Sequence, residues 1–206
     1  MYTGIVQRML PVAQLQRKPG LMSFTLEFDP ELLRDLETGA SVAFNGCCFT
    51  ATSIEGSRVS FDAIQETLDI TNLKYIEEGS LLNIERSAKS DAEIGGHILS
   101  GHIVDTAEVV EITESENNKR ITFQAKDEWL KFVFNKGFLA VNGCSLTVAA
   151  LDRESSQFSI NLIPETLERT NFALLAKGDE VNIEVEAQTQ VIVETVERIM
   201  SERFSD

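Results

Sequence analysis

The sequence contains few of the residues that build disulfide frameworks and metal centres. It has three cysteines and two histidines in 206 residues, and two of the cysteines, Cys47 and Cys48, are adjacent. This number and spacing make a poor disulfide framework and give no metal-ligand pattern. We therefore expect free thiols, no bound metal and a reducing compartment, the cytoplasm.

Basic residues and long apolar runs are also scarce. Lysine and arginine together number 18 against 33 acidic residues, which gives a formal net charge of −15. Nucleic acids and anionic membrane surfaces are bound through basic patches, so this charge argues against both partners. No apolar run approaches the roughly 20 residues needed to span a bilayer. The first residues lack the basic and apolar regions of a signal peptide. We expect a soluble protein that binds neither nucleic acid nor membrane.

One six-residue segment occurs twice in the chain. Residues 45–50 read Asn-Gly-Cys-Cys-Phe-Thr, and residues 142–147, which lie 97 positions later, read Asn-Gly-Cys-Ser-Leu-Thr. Similar blocks recur in the same order at offsets of 97 to 99 residues, and they pair 3–6 with 100–103, 66–73 with 165–172, and 79–85 with 178–184. Matched blocks in one order indicate an internal duplication and two similar domains in tandem.

The two copies differ at a position that carries chemistry. If the segment is a strand, Cys48 points away from the apolar face that Cys47 and Phe49 share, and Ser145 occupies the matching place in the second copy. Each copy then presents a small nucleophilic or hydrogen-bonding side chain. Two interpretations are open: a functional pair on the polar face, or reuse of a favourable strand and turn with Cys48 as a buried structural thiol.

Apolar and polar residues alternate over several short runs. The clearest runs are Phe24–Phe28, Val59–Ala63, Phe158–Leu162 and Val181–Val185. A period of two is typical of half-buried strands, and the polar residues 116–119 predict a turn between two further strands. Many short strands separated by turn signals predict a small barrel or sandwich in each half.

Two short helices interrupt the strand pattern, one in each half. Asp29 is expected to cap a helix over Pro30–Leu33, where proline suits the first helical position. Asp127 is expected to cap the matching segment that begins with Glu128.

The tail has a different period. From Thr189 to Phe204 one helical stripe of apolar residues is predicted, formed by Ile192, Val196, Ile199 and Met200. A helix outside both repeats either covers its own barrel or packs against copies of itself. The narrow stripe favours self-association.

Both histidines lie in one segment, 95–102. Their five-residue spacing is weak as a metal site. For His97, which has no aligned partner in the first copy, we favour a hydrogen-bonded structural role. His102 replaces Ile5 of the first copy, so one repeat has gained a titratable group. A neutral imidazole can move a proton in either direction near pH 7, which makes His102 the candidate for proton transfer.

Threonines follow glutamates at the end of a strand-like run in both copies, at Thr67 and Thr166. Hydroxyls in such a place suit hydrogen bonding to a polar heterocycle. A threonine at the start of a helix is also an ordinary cap, so both interpretations stay open.

With these motifs in place, the chain resembles the riboflavin synthase family of the alpha-subunit type over nearly its whole length. Residues 3–6, 95–102, 163–170 and the doubled Asn-Gly-Cys strand carry the resemblance. It implies an all-β fold of two tandem homologous six-stranded Greek-key β-barrels plus a C-terminal α-helix. The implied divisions are an N-terminal lumazine-binding barrel at 1–97, a second at 98–188, and a trimerisation helix at 189–206.

The resemblance also implies an activity without metal or cofactor. Two molecules of 6,7-dimethyl-8-ribityllumazine react with each other, and one donates a four-carbon unit to the other. The products are riboflavin and 5-amino-6-ribitylaminouracil. Holding both partners contributes on the order of 7–11 kcal/mol in favourable cases. The family places this site between the first barrel of one subunit and the second barrel of a neighbour in a homotrimer.

Site residues follow from the matched motifs as implications of the resemblance. Proton transfer or nucleophilic attack would use Cys48, His102, Ser145 and Thr147. Substrate contacts in one pocket would come from Cys48, Phe49, Thr50, Asp62, Ala63, Ile64, Gln65, Glu66, Thr67, Gly101, His102 and Ile103. The other pocket would use Gly4, Ile5, Val6, Ser145, Leu146, Thr147, Asn161, Leu162, Ile163, Pro164, Glu165 and Thr166, with Lys136 reaching across to it from a neighbouring subunit.

The chain departs from the family pattern at two positions. Tyr2 stands where the family usually has phenylalanine, which adds a hydroxyl near one pocket. Glu186 stands where the family usually has aspartate, and one extra methylene shifts a carboxylate by about an ångström. Neither change removes a group, so we expect activity with an altered rate.

A binding protein is the rival class. Lumazine or flavin antenna proteins are similar to this family, are not catalysts, and are expected to have lost one pocket. Here both copies keep the threonine, the Glu-Thr-Leu run and a small polar residue at 48 or 145, which favours the enzyme. The sequence leaves open which lumazine is the donor, which group is the nucleophile, and whether a lumazine synthase capsid encloses the trimer.

Overall fold

The structure, a computed structural model, describes residues 1–204, so the last two residues of the segment predicted as 189–206 lie outside it. The first half contributes β1 (Arg8–Lys18), β2 (Leu21–Glu27), β3 (Ser41–Phe44), β4 (Cys47–Glu55), β5 (Arg58–Ile64) and β6 (Leu81–Arg86). The second half contributes β7 (Asp105–Ser115), β8 (Asn118–Gln124), β9 (Phe138–Val141), β10 (Cys144–Asp152), β11 (Gln157–Leu162) and β12 (Glu180–Val185).

Helices are short except at the C-terminus. They are α1 (Pro30–Leu33), α2 (Gln65–Ile70), α3 (Asp127–Leu130), α4 (Pro164–Arg169) and α5 (Ala187–Phe204), with 3-10 turns at Asn72–Tyr75 and Asn171–Leu174.

Each half closes into an antiparallel barrel of six strands. The first has the order β1-β2-β5-β4-β3-β6, and the second repeats it strand for strand as β7-β8-β11-β10-β9-β12. Strands β3, β4 and β5 follow one another as hairpins, while β6 returns to lie beside β3, which is the Greek-key arrangement. The predicted all-β fold of two homologous barrels and a C-terminal helix is confirmed.

The predicted strand alternation matches the burial of side chains. In β2, Met22, Phe24 and Leu26 are buried while the residues between them are partly exposed. Phe24 packs edge-on against Phe44 and Phe49, with ring centroids 5.2 Å apart in both pairs. Each barrel therefore encloses its own apolar core, because every strand presents one apolar face to the inside.

One of the two predicted helix caps is right and the other is wrong. Asp29 Oδ1 accepts hydrogen bonds from the backbone N–H groups of Glu31 and Leu32, both at 2.9 Å, as expected of an N-cap. Asp127 does not cap α3, because it is the first helical residue and Lys126 is the cap position. The Asp127 carboxylate instead accepts a hydrogen bond from the Ser156 hydroxyl.

Two Asn-Gly turns meet where the barrels touch. Asn45 and Gly46 both have positive φ, as do Asn142 and Gly143, so each pair forms a tight two-residue hairpin loop. A Cβ atom on Gly46 would lie 2.7 Å from the backbone nitrogen of Gly143. Only glycine permits this backbone approach, so the repeated motif forms the contact between the barrels.

An asparagine network surrounds this contact. Its members are Asn45, Asn72, Asn83, Asn142, Asn171 and Asn182. The Asn72 N–H donates to Asn182 Oδ1 at 2.6 Å, and the Asn171 N–H donates to Asn83 Oδ1 at 2.8 Å, so the bonds follow the duplication. A buried amide left unsatisfied costs about 1–3 kcal/mol, so these bonds fix how one barrel sits on the other.

Each barrel is completed by a segment that lies outside its own strands. We call residues 1–6 the N-terminal strap and residues 98–103 the central strap. The straps pair with each other at Tyr2 and Leu99. Val6 then packs in the core of the second barrel, and Ile103 packs in the core of the first.

Helix α5 leaves an apolar stripe uncovered. Val193 packs against the core of the second barrel. Ile192, Val196, Ile199 and Met200 are 63%, 50%, 45% and 54% exposed. Among residues 1–204, no helix combines the length and apolar character that a membrane span requires.

Replacing Gly46 by alanine tests the contact between the barrels. We expect Gly46→Ala to lower the free energy of unfolding by about 3 kcal/mol or more, since it adds a clash to the strain of positive φ. Gly56 is the matched control, because its φ is +64° and a Cβ there meets nothing within 4 Å. Gly56→Ala should cost only about 1–2 kcal/mol. Equal losses in chemical denaturation would show that the close approach does not matter.

Candidate functional site: two matched strand and strap pockets

We call the predicted binding surface around Cys48 in β4 the first pocket, and the matching surface around Ser145 in β10 the second pocket. Cys47 and Phe49, the neighbours of Cys48, are buried, whereas Cys48 is partly exposed on the opposite face of the strand. The Cys48 N–H donates to the carbonyl of Gly101 at 2.9 Å, which joins β4 to the central strap. A Cβ on Gly101 would lie 2.6 Å from Cys48 Cβ, so this approach also needs glycine.

The second pocket repeats this arrangement around Ser145 in β10. The Ser145 N–H donates to the carbonyl of Gly4 at 2.8 Å. A Cβ on Gly4 would lie 2.5 Å from Ser145 Cβ. The duplicated motif thus presents a thiol against one strap and a hydroxyl against the other, and it brings together residues that are distant in the sequence.

A buried glutamate anchors each strap. Glu85 Oε1 accepts from the backbone N–H and the hydroxyl of Thr3 at 2.6 and 2.8 Å. Glu184 Oε1 accepts from the same two groups of Ser100 at 2.6 and 2.7 Å. Burial raises the pKa of both carboxyls, and the strap hydrogen bonds oppose that rise. The sequence pairs these two glutamates in matched strands, but nothing in the pattern predicts that they hold the straps.

His97 contacts Ser145, which sequence reasoning did not predict. Its Nδ1 lies 2.6 Å from Ser145 Oγ, and its ring stacks on Phe138 with centroids 5.4 Å apart. Burial lowers the pKa of His97, while the field of Glu186 opposes this. The imidazole is therefore neutral near pH 7 and can exchange a proton with the Ser145 hydroxyl. Nε2 is buried without a hydrogen-bond partner within the described range.

His102 lies on the side of the first pocket. It is exposed, and its backbone N–H donates to Ser100 Oγ at 3.2 Å. It directly follows Gly101, whose carbonyl binds Cys48. The two histidines thus belong to different pockets, and His97 is the one that touches a candidate catalytic group.

Equivalent predicted residues of the two repeats have similar exposure. Thr50 and Thr147 are exposed on β4 and β10, and they pair with Ser41 and Phe138 of the neighbouring strands. The apolar residues Ile64 and Ile163 are 55% and 60% exposed to solvent. These two residues precede α2 and α4 in extended conformation.

Other predicted site residues lie in the interior or on the helices. Thr67 and Thr166 lie within α2 and α4 rather than at their caps, and their carbonyls accept hydrogen bonds from later threonines. The buried predicted residues, whose side chains belong to the barrel interiors, are Val6, Phe49, Ala63, Ile103 and Leu162. The predicted residues Ile5, Asp62, Gln65, Glu66, Asn161, Pro164 and Glu165 are exposed, and Leu146 is partly exposed.

Lys136 is the last of the predicted site residues. It is exposed and has a φ of 65°, and its N–H donates to the carbonyl of Val148 at 3.0 Å. Its predicted reach to a neighbouring subunit stays a prediction. Within the described range, no group of three His, Cys, Asp or Glu side chains could hold a metal ion.

Comparison with known families agrees with this duplicated geometry. A model of the lumazine binding domain matches residues 3–87 and again residues 100–186. Riboflavin synthase of Escherichia coli (strain K12) is 48% identical over 98% of this chain and 95% of its own length. The chain belongs to the riboflavin synthase family.

A more distant relative and two solved structures also match most of the chain. Riboflavin synthase of Chlamydia pneumoniae is 38% identical over the whole of both chains. Among solved structures, LumP complexed with riboflavin has a TM-score of 0.83 and 25% identity over 90% of this chain and all of LumP. LumP complexed with 6,7-dimethyl-8-(1'-D-ribityl) lumazine has a TM-score of 0.81 over 90% of this chain and 99% of LumP.

The two departures from the family pattern have definite positions. The Tyr2 hydroxyl donates to Cys48 Sγ at 3.0 Å. The Glu186 carboxylate accepts a hydrogen bond from the Thr189 N–H at 3.1 Å, so it caps the start of α5. Its negative charge also acts to raise the pKa of His97, against the effect of burial. The added hydroxyl therefore contacts one pocket directly, and the longer carboxylate influences the other from the helix.

Proposed function

We propose that this chain converts two molecules of 6,7-dimethyl-8-ribityllumazine into riboflavin and 5-amino-6-ribitylaminouracil. One lumazine gives a four-carbon unit to the other, which is the last step of riboflavin biosynthesis. The carbon atoms that are transferred belong to the substrates themselves. The chain's residues bind and orient both molecules, activate one of them by nucleophilic attack and move protons. The reaction uses no cofactor.

The observation that carries this proposal is the exact reuse of one pocket design. Strand β4 meets the central strap at Cys48 and Gly101, and strand β10 meets the N-terminal strap at Ser145 and Gly4. Two like pockets suit two like molecules. Orienting both reactants removes part of the entropic barrier to their meeting. An antenna protein would need only one of these pockets.

The catalytic roles follow from the chemistry of the two pockets. Cys48 is the candidate nucleophile that activates one lumazine, and His102 and Thr147 assist proton transfer. Ser145, paired with His97, exchanges the proton lost from the acidic C7-methyl group of the other. A neutral imidazole within hydrogen-bond distance of a hydroxyl is a suitable general base.

The remaining predicted residues are proposed to bind the heterocycle and ribityl chain. Ile64 and Ile163 offer exposed apolar surface beside the flat ring system. The runs Asp62–Thr67 and Asn161–Thr166 carry hydroxyl, amide and carboxylate groups that suit a polyhydroxylated chain. Lys136 would contribute from a neighbouring copy.

Three copies are proposed to assemble through α5. The uncovered stripe Ile192, Val196, Ile199 and Met200 supplies the apolar contact, and it is exposed in the single chain. The first barrel of one copy would then face the second barrel of the next, in line with the division into 1–97, 98–188 and 189–206. A cytoplasmic location is proposed as well, and three free thiols are consistent with it. A lumazine synthase capsid that encloses the trimer is a further proposed partner.

The direct test uses only protein and substrate. Purified chain mixed with 6,7-dimethyl-8-ribityllumazine should produce the absorbance and fluorescence of riboflavin with nothing else added. Equilibrium titration with riboflavin or a non-reacting lumazine analogue should find two binding sites per chain. One site per chain and no riboflavin would identify an antenna protein and contradict the proposal.

Substitution of His97 tests the proton-transfer pair. Glutamine cannot take up a proton, so His97→Gln should lower kcat by about 10²–10⁴-fold and change KM little. Burial lowers the pKa of His97, so the acid limb of the kcat profile should lie below the ordinary imidazole range and disappear in the variant. His102→Gln is the comparison for the other proposed proton-transfer residue; it should lower kcat but keep this acid limb, because Ser145 is paired with His97. An acid limb that survives in His97→Gln and is lost in His102→Gln would contradict the assignment of proton transfer to His97 and Ser145.

The stripe on α5 is tested by changing its polarity. The double substitution Ile192→Asn and Val196→Asn should convert the trimer to monomers in sedimentation equilibrium, because the apolar contact is lost. Val191→Asn is the control, since Val191 is 63% exposed but lies off the stripe. A trimer that survives the double substitution would place the interface elsewhere. Monomers should lose turnover while they retain ligand binding, if the site spans two copies.

A further inference from the structure

A buried phenol contacts the sulfur of the first pocket. Tyr2 is 2% exposed, and its hydroxyl donates to Cys48 Sγ at 3.0 Å. Cys48 itself is partly exposed to the pocket. The sulfur therefore contacts a buried donor, while the residue that carries it stays partly exposed.

The backbone holds this phenol in place. The Tyr2 N–H donates to the carbonyl of Leu99 at 2.8 Å, and the Leu99 N–H returns a bond to Tyr2 at 3.0 Å. The ring packs with Ala43, Leu99 and Ala140 in a small apolar cluster against Cys48. A Cβ on Gly101 would lie 2.9 Å from Tyr2 Cε2, so the central strap lies directly against the ring. The hydroxyl has little freedom to move away from the sulfur.

The phenol is a permanent hydrogen-bond donor. Burial raises the pKa of Tyr2 far above its ordinary value, and the hydrogen bond and charge interaction with Cys48 raise it further. The hydroxyl therefore keeps its proton throughout the physiological range.

The second repeat has no equivalent group. Leu99 stands at the position that matches Tyr2 and cannot donate a side-chain hydrogen bond. Ser145, which matches Cys48, is paired with the imidazole of His97 instead. The duplication has thus acquired a different polar partner for each of its two small side chains.

We propose that Tyr2 is a positioning residue for Cys48. Its hydroxyl holds the sulfur in one orientation and supports negative charge that develops on the sulfur. This proposal deepens the proposed function and rests on Cys48 being the nucleophile of the first pocket. The phenol does not touch the substrate, since it is buried behind the sulfur. It acts through Cys48 alone.

The first test measures the reactivity of the thiol and needs no turnover. Tyr2→Phe removes only the hydroxyl and keeps the ring. The rate of Cys48 alkylation by iodoacetamide should fall between about twofold and tenfold, the range that one hydrogen bond supports. Tandem mass spectrometry assigns the label, because fragmentation between the adjacent residues Cys47 and Cys48 separates their masses and Cys144 lies far away in the sequence. An unchanged or faster rate would overturn the proposal.

The matched control is the other tyrosine. Tyr75 is 62% exposed, and its hydroxyl lies 3.4 Å from a Glu180 carboxylate oxygen, away from the thiols. Tyr75→Phe should leave Cys48 alkylation at the rate of the unaltered chain. An equal fall in both variants would mean that the effect is general and not due to the Tyr2 hydroxyl.

Turnover then separates this proposal from the proposed function. Tyr2→Phe should lower kcat by a factor similar to the loss in alkylation rate, with KM nearly unchanged. In a Cys48→Ser background the same change should have a smaller effect, because the thiol it acts on is absent. Slower alkylation without any riboflavin formation in the unaltered chain would refute the proposed function and leave the pair intact.

A spectroscopic measurement covers the case in which Tyr2→Phe does not fold. The Raman doublet of tyrosine responds to whether the phenol donates a hydrogen bond. In Cys48→Ala, where Tyr2 is intact, the doublet should change toward that of a phenol without an acceptor. The same spectrum in both proteins would show that the phenol does not donate to Cys48.

Discussion

Buried asparagine side chains at the contact between the barrels determine the rest of the structure. Each amide that loses its partner there costs about 1–3 kcal/mol, so only the arrangement that satisfies all of them at once is stable. The back-to-back turns at Gly46 and Gly143 bring the barrels to backbone contact. With the barrels fixed in this way, the straps reach across, and each completes the pocket of the other half.

This exchange of straps explains why the chain is more than two independent lumazine-binding domains. Val6 enters the core of the second barrel and Ile103 enters the core of the first, so neither half closes its core without the other. Glu85 and Glu184 then hold the straps through matched hydrogen bonds. The positions of the pockets depend on all these contacts together.

The pockets share a backbone design and differ in their side chains. A thiol faces a permanent donor in one pocket, and a hydroxyl faces a neutral imidazole in the other. A dismutation treats its two identical substrates differently, because one gives carbon atoms and the other receives them. Divergence of the side chains within a conserved backbone is a way to give two identical molecules different roles.

Much of this could be predicted from local pattern. The alternation in β2, the cap at Asp29 and the doubled Asn-Gly-Cys segment depend on near neighbours in the chain, so they predict strands, a short helix and the duplication. The cap at Asp127 was wrong because, at the offset of 97 residues, Lys126 corresponds to Asp29, whereas Asp127 corresponds to Pro30, the first helical residue. His97 was undervalued because its contact with Ser145 joins residues 48 positions apart.

The sequence by itself determined the two barrels, the outward face of Cys48 and the family, because strand period and motif order are properties of the chain. Only the tertiary structure decided which strap serves which barrel, which histidine meets Ser145, and that the Tyr2 hydroxyl lies on Cys48. These pairings depend on how two closed barrels dock. Docking is set by buried hydrogen bonds and glycine contacts between distant residues, which no local pattern records.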